Sequence, residues 1–268
     1  MSLKRSVGTT IAQVYVTAGV GVAIAAYGSH IHMSPSSAPG WMPAAFTTGS
    51  DYMTIAQIVF AALLGVTALE SCRAPFLLRF GLFAGVAYSA GLNVGTWIHK
   101  ALQESGACPG PGWSWFPDAD FLLRWSGGMN SKSCGMLNPM ITSAFSYTAG
   151  IYFCFSAAAL LGNRNNKILM YVSSILFAGS WVMWGSYLLA RFGLASDAVF
   201  DAVYIKLGLV LYSLKVWFDT YAMVGEIESS SDVDVLNLAL SALLNFLQIF
   251  IRVIQLLASM KKDERKRR

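Results

Sequence analysis

Residues 203–224, VYIKLGLVLYSLKVWFDTYAMV, form an apolar segment long enough to cross a membrane, yet they carry Lys206, Lys215 and Asp219. An Asp deep in hydrocarbon costs roughly 2.5–3.5 kcal/mol on insertion scales, so it faces a bundle interior or a water-filled cavity and marks a candidate functional site. An acidic turn follows, Gly225 to Asp234, with Glu226, Glu228, Asp232 and Asp234 and no basic residue. The next segment, residues 235–260, is again apolar, but Asn237, Ser241, Asn245, Gln248, Arg252, Gln255 and Ser259 recur at spacings of three or four. Such spacings place all seven on one face of an α-helix. A polar stripe on a long apolar helix either lies at the membrane surface with its apolar side down or turns toward a polar interior within a ring of helices. A stripe rich in amides rather than in Lys and Arg favours the enclosed position. With a tight turn, Asp219 and Asn245 lie about 12 and 18 Å from it at 1.5 Å per residue, so they are expected to be neighbours across the hairpin. Lys215, one turn before Asp219, offers a local ion pair, with Arg252 and Arg79 as competitors for the carboxylate. A neutralised structural carboxyl is the plainer alternative for Asp219.

Composition extends this reading to the whole chain. Hydrophobic residues make up 55% and charged residues 12%, whereas soluble domains carry roughly a quarter charged. The chain therefore reads as an all-α polytopic membrane bundle, a single integral membrane domain over residues 1–268 with six helices around a seventh that is central or re-entrant. Segments of about 20 apolar residues suffice to span, and the expected helices are 10–33, 51–69, 76–99, 139–161, 168–190, 203–224 and 235–260. A cleaved signal peptide is the rival for the first, but its apolar stretch exceeds a typical signal core. The third contains Gly81-x-x-x-Gly85 and Gly91-x-x-x-Gly95, spacings that allow close helix contact. Residues 100–138 read as a lumenal insertion and residues 261–268, KKDERKRR, as a basic tail.

The net charge of +5 says little about nucleic acid, because six of the nineteen basic residues lie in that tail. The bilayer is the expected partner, and no nucleic acid is. By the positive-inside rule the amino terminus, Arg73 with Arg79, and Arg164 with Lys167 lie on the cytoplasmic side. Seven full crossings would put the tail opposite, against the same rule. Either the last helix does not cross fully or the tail violates the rule; the tail is expected in the cytoplasm. Four cysteines, Cys72, Cys108, Cys134 and Cys154, show no zinc spacing. Cys108 and Cys134 share the insertion and could pair in an oxidising lumen, with free thiols the alternative.

Four stretches in order carry a family resemblance: AQVYVTAGVGVAIAAYGSHIHM (12–33), FGLFAGVAYSAGLNVG (80–95), LNPMITSAFSYTAGIYFCFSAAALL (137–161), and WFDTYAMVGEIE with LLNFLQIFIRVIQLLASMKKDERKRR (217–228 and 243–268). They resemble the Bax inhibitor-1 group of the transmembrane Bax-inhibitor-motif family. That resemblance implies an endoplasmic-reticulum membrane protein that tempers cell-death and stress signalling, with calcium as a permeant ion and no resident cofactor. It also implies a proton-sensitive pair of aspartates gating a calcium leak. The first falls on Asp219 and the second on Asn245. Two close carboxylates share a proton and titrate near neutral pH; Asp with Asn has no such coupling, and one negative charge attracts a divalent cation less well.

The residues contain no nucleophile motif, phosphate loop or metal-ligand cluster, so neither an enzyme nor a metal site is expected. His30, His32 and His99 read as interfacial histidines. Two functions compete: a calcium leak, or a non-conducting regulator that binds other membrane proteins of cell-death or calcium signalling. In the first, the stripe Asn237, Ser241, Gln248 and Gln255 lines a path; in the second, it satisfies buried hydrogen bonds.

Overall fold

The computed structural model describes residues 5–33, 59–67, 74–105, 139–161, 166–191, 201–229 and 233–267. Among them every regular element is helical: α1 (Arg5–Met33), α2 (59–67), α3 (Phe76–Ser105), α4 (Pro139–Leu161), α5 (Asn166–Arg191), α6 (Gly208–Ser229) and α7 (Val235–Arg267). A wider π-helical segment, Asp201–Leu207, leads into α6. Four stretches are long and apolar enough to cross a membrane: Val7–His32, Phe76–Leu102, Met140–Leu161 and Val235–Glu264. The protein is an all-α polytopic membrane helix bundle.

Local chemistry sets the helix ends. Pro139 opens α4, a position where its missing N–H is no loss, and the helix spans the expected 139–161. Asp234 caps α7: its Oδ1 accepts the backbone N–H of Asn237 at 3.3 Å, as an N-cap carboxylate does for the third helical residue. Several other helices outrun the expected bounds. α1 starts at Arg5 because Val7, Ile11, Val14 and Ala18 form one buried stripe at helical spacing. α3 continues to Ser105, taking the first residues of the 100–138 insertion, because Ile98, Ala101 and Leu102 extend its buried face. α7 runs through the basic residues to Arg267, so the described part of the 261–268 tail is helical. Inside the helices, hydroxyls are satisfied by their own backbone. Ser89 donates to the carbonyl of Val86 at 3.0 Å, Thr96 to that of Asn93 at 2.8 Å and Ser213 to that of Leu209 at 2.8 Å. Such bonds remove polar groups from hydrocarbon without a partner helix.

The residues group into two compact units, Met1–Ala18 with Phe145–Leu256, and Gly19–Ala144 with Leu257–Arg268. In the second, the backbones of α1 and α3 meet. Any side chain at Gly91 would overlap the Ala25 backbone, and one at Gly95 would press on His32 at 3.0 Å. Of the two Gly-x-x-x-Gly motifs, the later is thus a helix-packing seam. Gly85 faces only the Phe60 ring at 3.6 Å, and Gly81 has open space around it.

In the first unit, α5 packs on α6, with Gly179 against Leu211. Rings from three helices close one side: Tyr15 of α1 meets Tyr152 edge-on with centroids 6.2 Å apart, and Phe246 of α7 lies 5.8 Å from Tyr152. Six consecutive residues of α7, Ile249 to Ile254, are buried. Six residues exceed one turn of 3.6, so α7 is enclosed on every side at that level. That rules out a helix lying flat on the membrane surface there.

Candidate functional site

The site is built where α6 and α7 run side by side in the first unit. α6 does not stop at Val224. It carries through Gly225, whose cost in a helix is only about 1 kcal/mol, and ends at Ser229. Asp219 therefore lies ten residues before the end of α6 and Asn245 ten residues after the start of α7. At 1.5 Å per residue both sit about 15 Å from the connection. Equal depth brings them into contact: Asn245 Nδ2 donates to Asp219 Oδ2 at 2.6 Å.

Two further donors converge on that oxygen. Ser241 Oγ, one turn before Asn245, donates at 3.0 Å, and Lys215 Nζ, one turn before Asp219, forms an ion pair with it. Lys215 Nζ also donates to Asn245 Oδ1 at 3.0 Å. The amide thus uses both ends, accepting from the lysine and donating to the carboxylate, a pattern that fixes its orientation. Charge-assisted bonds of this kind are about twice as strong as neutral ones. Asn245 is 4% exposed, whereas the side chains of Lys215 and Asp219 are 41% and 25% exposed. The other oxygen of Asp219 takes no hydrogen bond among the described residues.

Asp219, Asn245 and Ser241 line a cavity of about 160 Å³, together with Glu226, Tyr15 and Tyr152. Water occupies about 30 Å³ per molecule in the liquid, so the space holds a few waters or one hydrated ion. Behind it a hydroxyl chain joins three helices. Tyr15 Oη and Thr220 Oγ1 share a hydrogen bond at 3.3 Å, and Thr220 donates to Ser156 Oγ at 3.5 Å.

Arg252 does not compete for Asp219. It stands two turns beyond Asn245 on α7, about 10 Å along the axis, where it is 3% exposed. Its guanidinium lies 3.7 Å from the centroid of the Tyr204 ring and 5.8 Å from that of Tyr212, and its Nη1 donates to Gln255 Oε1 at 3.2 Å. Gly208 makes the approach feasible, because a side chain there would meet Arg252 Nε at 3.1 Å. Arg79 belongs to the other unit, in the first turn of α3, where its backbone N–H is bonded to the carbonyl of Pro75 at 3.3 Å.

Of the remaining stripe, Asn237 is exposed at the start of α7, and Gln248 makes no hydrogen bond among the described residues. Cys108 and Cys134 lie outside the described residues, as does the side chain of His99; Cys154 is free and exposed on α4. No three His, Cys, Asp or Glu side chains among the described residues could jointly hold a metal. Tyr15, Tyr152, Glu226 and the Tyr204 and Tyr212 cage escape a linear reading. Only Glu226 carried a signal, at two turns beyond Asp219 on the same helix face.

The family model described as "Inhibitor of apoptosis-promoting Bax1" matches residues 127–262, which include α4 to α6, α7 as far as Lys262, and Lys215, Asp219 and Asn245. Bax inhibitor 1 of Rattus norvegicus is 30% identical over 152 residues, covering 54% of this chain and 60% of that protein. Bax inhibitor 1 of Homo sapiens is 29% identical over 152 residues, with the same coverage. Bax inhibitor 1 of Arabidopsis thaliana is 29% identical over 126 residues, covering 47% of this chain and 49% of its own length. The chain thus spans about half to three-fifths of the length of these relatives. Because the family model covers just over half of the 268 residues, the chain belongs to the Bax inhibitor-1 family.

Proposed function

We propose that this protein tempers cell-death and stress signalling from the endoplasmic-reticulum membrane by passing calcium slowly down its gradient, with the Asp219 cluster on the path and the basic end of α7 in the cytoplasm. The names of its relatives point to the cell-death role. The observation that carries the ion-path reading is a carboxylate with one open oxygen at the edge of a cavity that Glu226, Ser241 and Asn245 also line, within an apolar helix bundle. Oxygen ligands suit calcium, a hard cation. The reading needs no catalytic group and no resident cofactor.

A second reading has its own support. The charge of Asp219 is already answered by Lys215, and three donors saturate one of its oxygens. A cluster so satisfied also suits a non-conducting regulator, one that binds other membrane proteins of cell-death or calcium signalling through its helices. Calcium efflux from liposomes holding the purified protein, measured at two pH values, separates the two. The leak reading expects efflux above empty liposomes that Asp219→Asn abolishes; no efflux at either pH removes it. In sealed microsomes a tag after Arg268 should be open to protease, and its protection would place the tail in the lumen.

A further inference from the structure

We propose that Lys215 is a tethered cation, seated where a permeating cation would bind beside Asp219, so that the chain holds its own leak low. This rests on the leak reading of the same site. Lys215 Nζ engages Asp219 Oδ2 on its own helix and Asn245 Oδ1 on α7. Two oxygens from two facing helices, one of them anionic, are ligands of the type a hard cation takes, with water able to fill the rest of its about six to eight positions. The ammonium takes that set for itself.

The pairing does not follow from helix geometry alone. On an isolated helix an acid preceding a lysine by four residues is the better order, and here the lysine precedes the acid. Lys215 is held by the cross-helix bond to Asn245 as well as by the ion pair. Its side chain is nevertheless 41% exposed, and an ammonium on a flexible four-carbon stem can leave its seat without moving the backbone. With Lys215 in place, the Lys215–Asp219 pair sums to zero. With its charge removed, Asp219 keeps two neutral donors, Asn245 Nδ2 and Ser241 Oγ, and exposes a full negative charge beside Glu226 at the cavity. Asn245 then adds its freed carbonyl oxygen to the seat. Specificity follows from the same arrangement: an arriving ion must displace one positive charge, so a divalent cation gains over a monovalent one.

The test uses the full chain and calcium itself as the probe. Lys215→Met removes the charge at similar length, Lys215→Gln keeps a donor without the charge, and Lys215→Arg keeps the charge. Calcium binding in detergent is measured by titration calorimetry and by calcium-dependent thermal shift, and efflux is measured in liposomes. The expected result is that Met and Gln at 215 tighten calcium binding on the order of tenfold, a modest coupling between two competing cations. Efflux rises in step, Arg at 215 behaves as native, and adding Asp219→Asn returns binding to the native level. Either neutral variant suffices if the other fails to fold. Unchanged calcium binding in the neutral variants overturns the proposal, as does an equal gain with Arg. Tighter binding without efflux in any variant would remove the leak reading and leave the tethered cation standing.

Discussion

Two charged sites lie on one face of α7, seven residues apart, and they are held by different physics. At Asn245 the charge of Asp219 is met by an opposite charge and by two neutral donors, around a cavity that admits water. At Arg252 the charge is buried deeper, and the groups against it are the faces of two tyrosine rings and the amide oxygen of Gln255. Among the described residues no carboxylate meets that guanidinium. The first arrangement is partly open: the Lys215 and Asp219 side chains are 41% and 25% exposed, and a mobile ion is proposed to replace the lysine. The second is not: a cation stacked on rings at 3% exposure has no route for exchange. One site is open to the cavity, and the other fixes α7 against α6.

The contrast can be broken most strongly at Arg252. Arg252→Ala removes the ring contacts, worth about 2 kcal/mol when desolvated, and leaves a void in a packed core, for a total loss of about 3–5 kcal/mol. Arg252→Met fills most of the space without the charge and should cost far less, since apolar replacement of a buried ion is often neutral. Thermal unfolding in detergent measures both. Equal losses for Ala and Met would mean that the guanidinium charge, rather than packing, anchors the helix pair.

A smaller effect is expected at the other site. Asn245→Asp replaces the amide donor to Asp219 with a second carboxylate, a like-charge contact damped by Lys215 between them. Losing a charge-assisted hydrogen bond and gaining repulsion should make the variant less stable than native by about 1–2 kcal/mol. Unfolding midpoints of both proteins decide it, and equal midpoints would show that Lys215 screens the pair completely.

The smallest effect sharpens the account of the cage. Tyr204→Phe keeps the ring face over Arg252 and should change stability by less than about 0.5 kcal/mol, whereas Tyr204→Leu should cost about 1–2 kcal/mol. A large loss in the Phe variant would assign the contact to the phenol hydroxyl instead.

Much of this was legible in the linear order of residues. Apolar runs and their interruptions announced a polytopic helical membrane protein, Pro139 and Asp234 marked helix starts where they stand, and the three- and four-residue spacing placed Ser241, Asn245 and Arg252 on one face. Lys215 beside Asp219 is equally local, one helical turn apart. These features are local because helix formation and insertion depend on periodicity and composition within a few turns. The reach of α6 beyond Gly225 was not legible, since one glycine reads as a stop although neighbouring packing overrides its modest cost. Tertiary structure alone decided that Lys215 bridges to Asn245, 30 residues on, and that Arg252 turns to Tyr204 rather than to Asp219. It also brought Tyr15 to Thr220 across 205 residues of chain. Such partners are chosen by how helices pack at equal depth, and no pattern within a single helix encodes which neighbour it will meet.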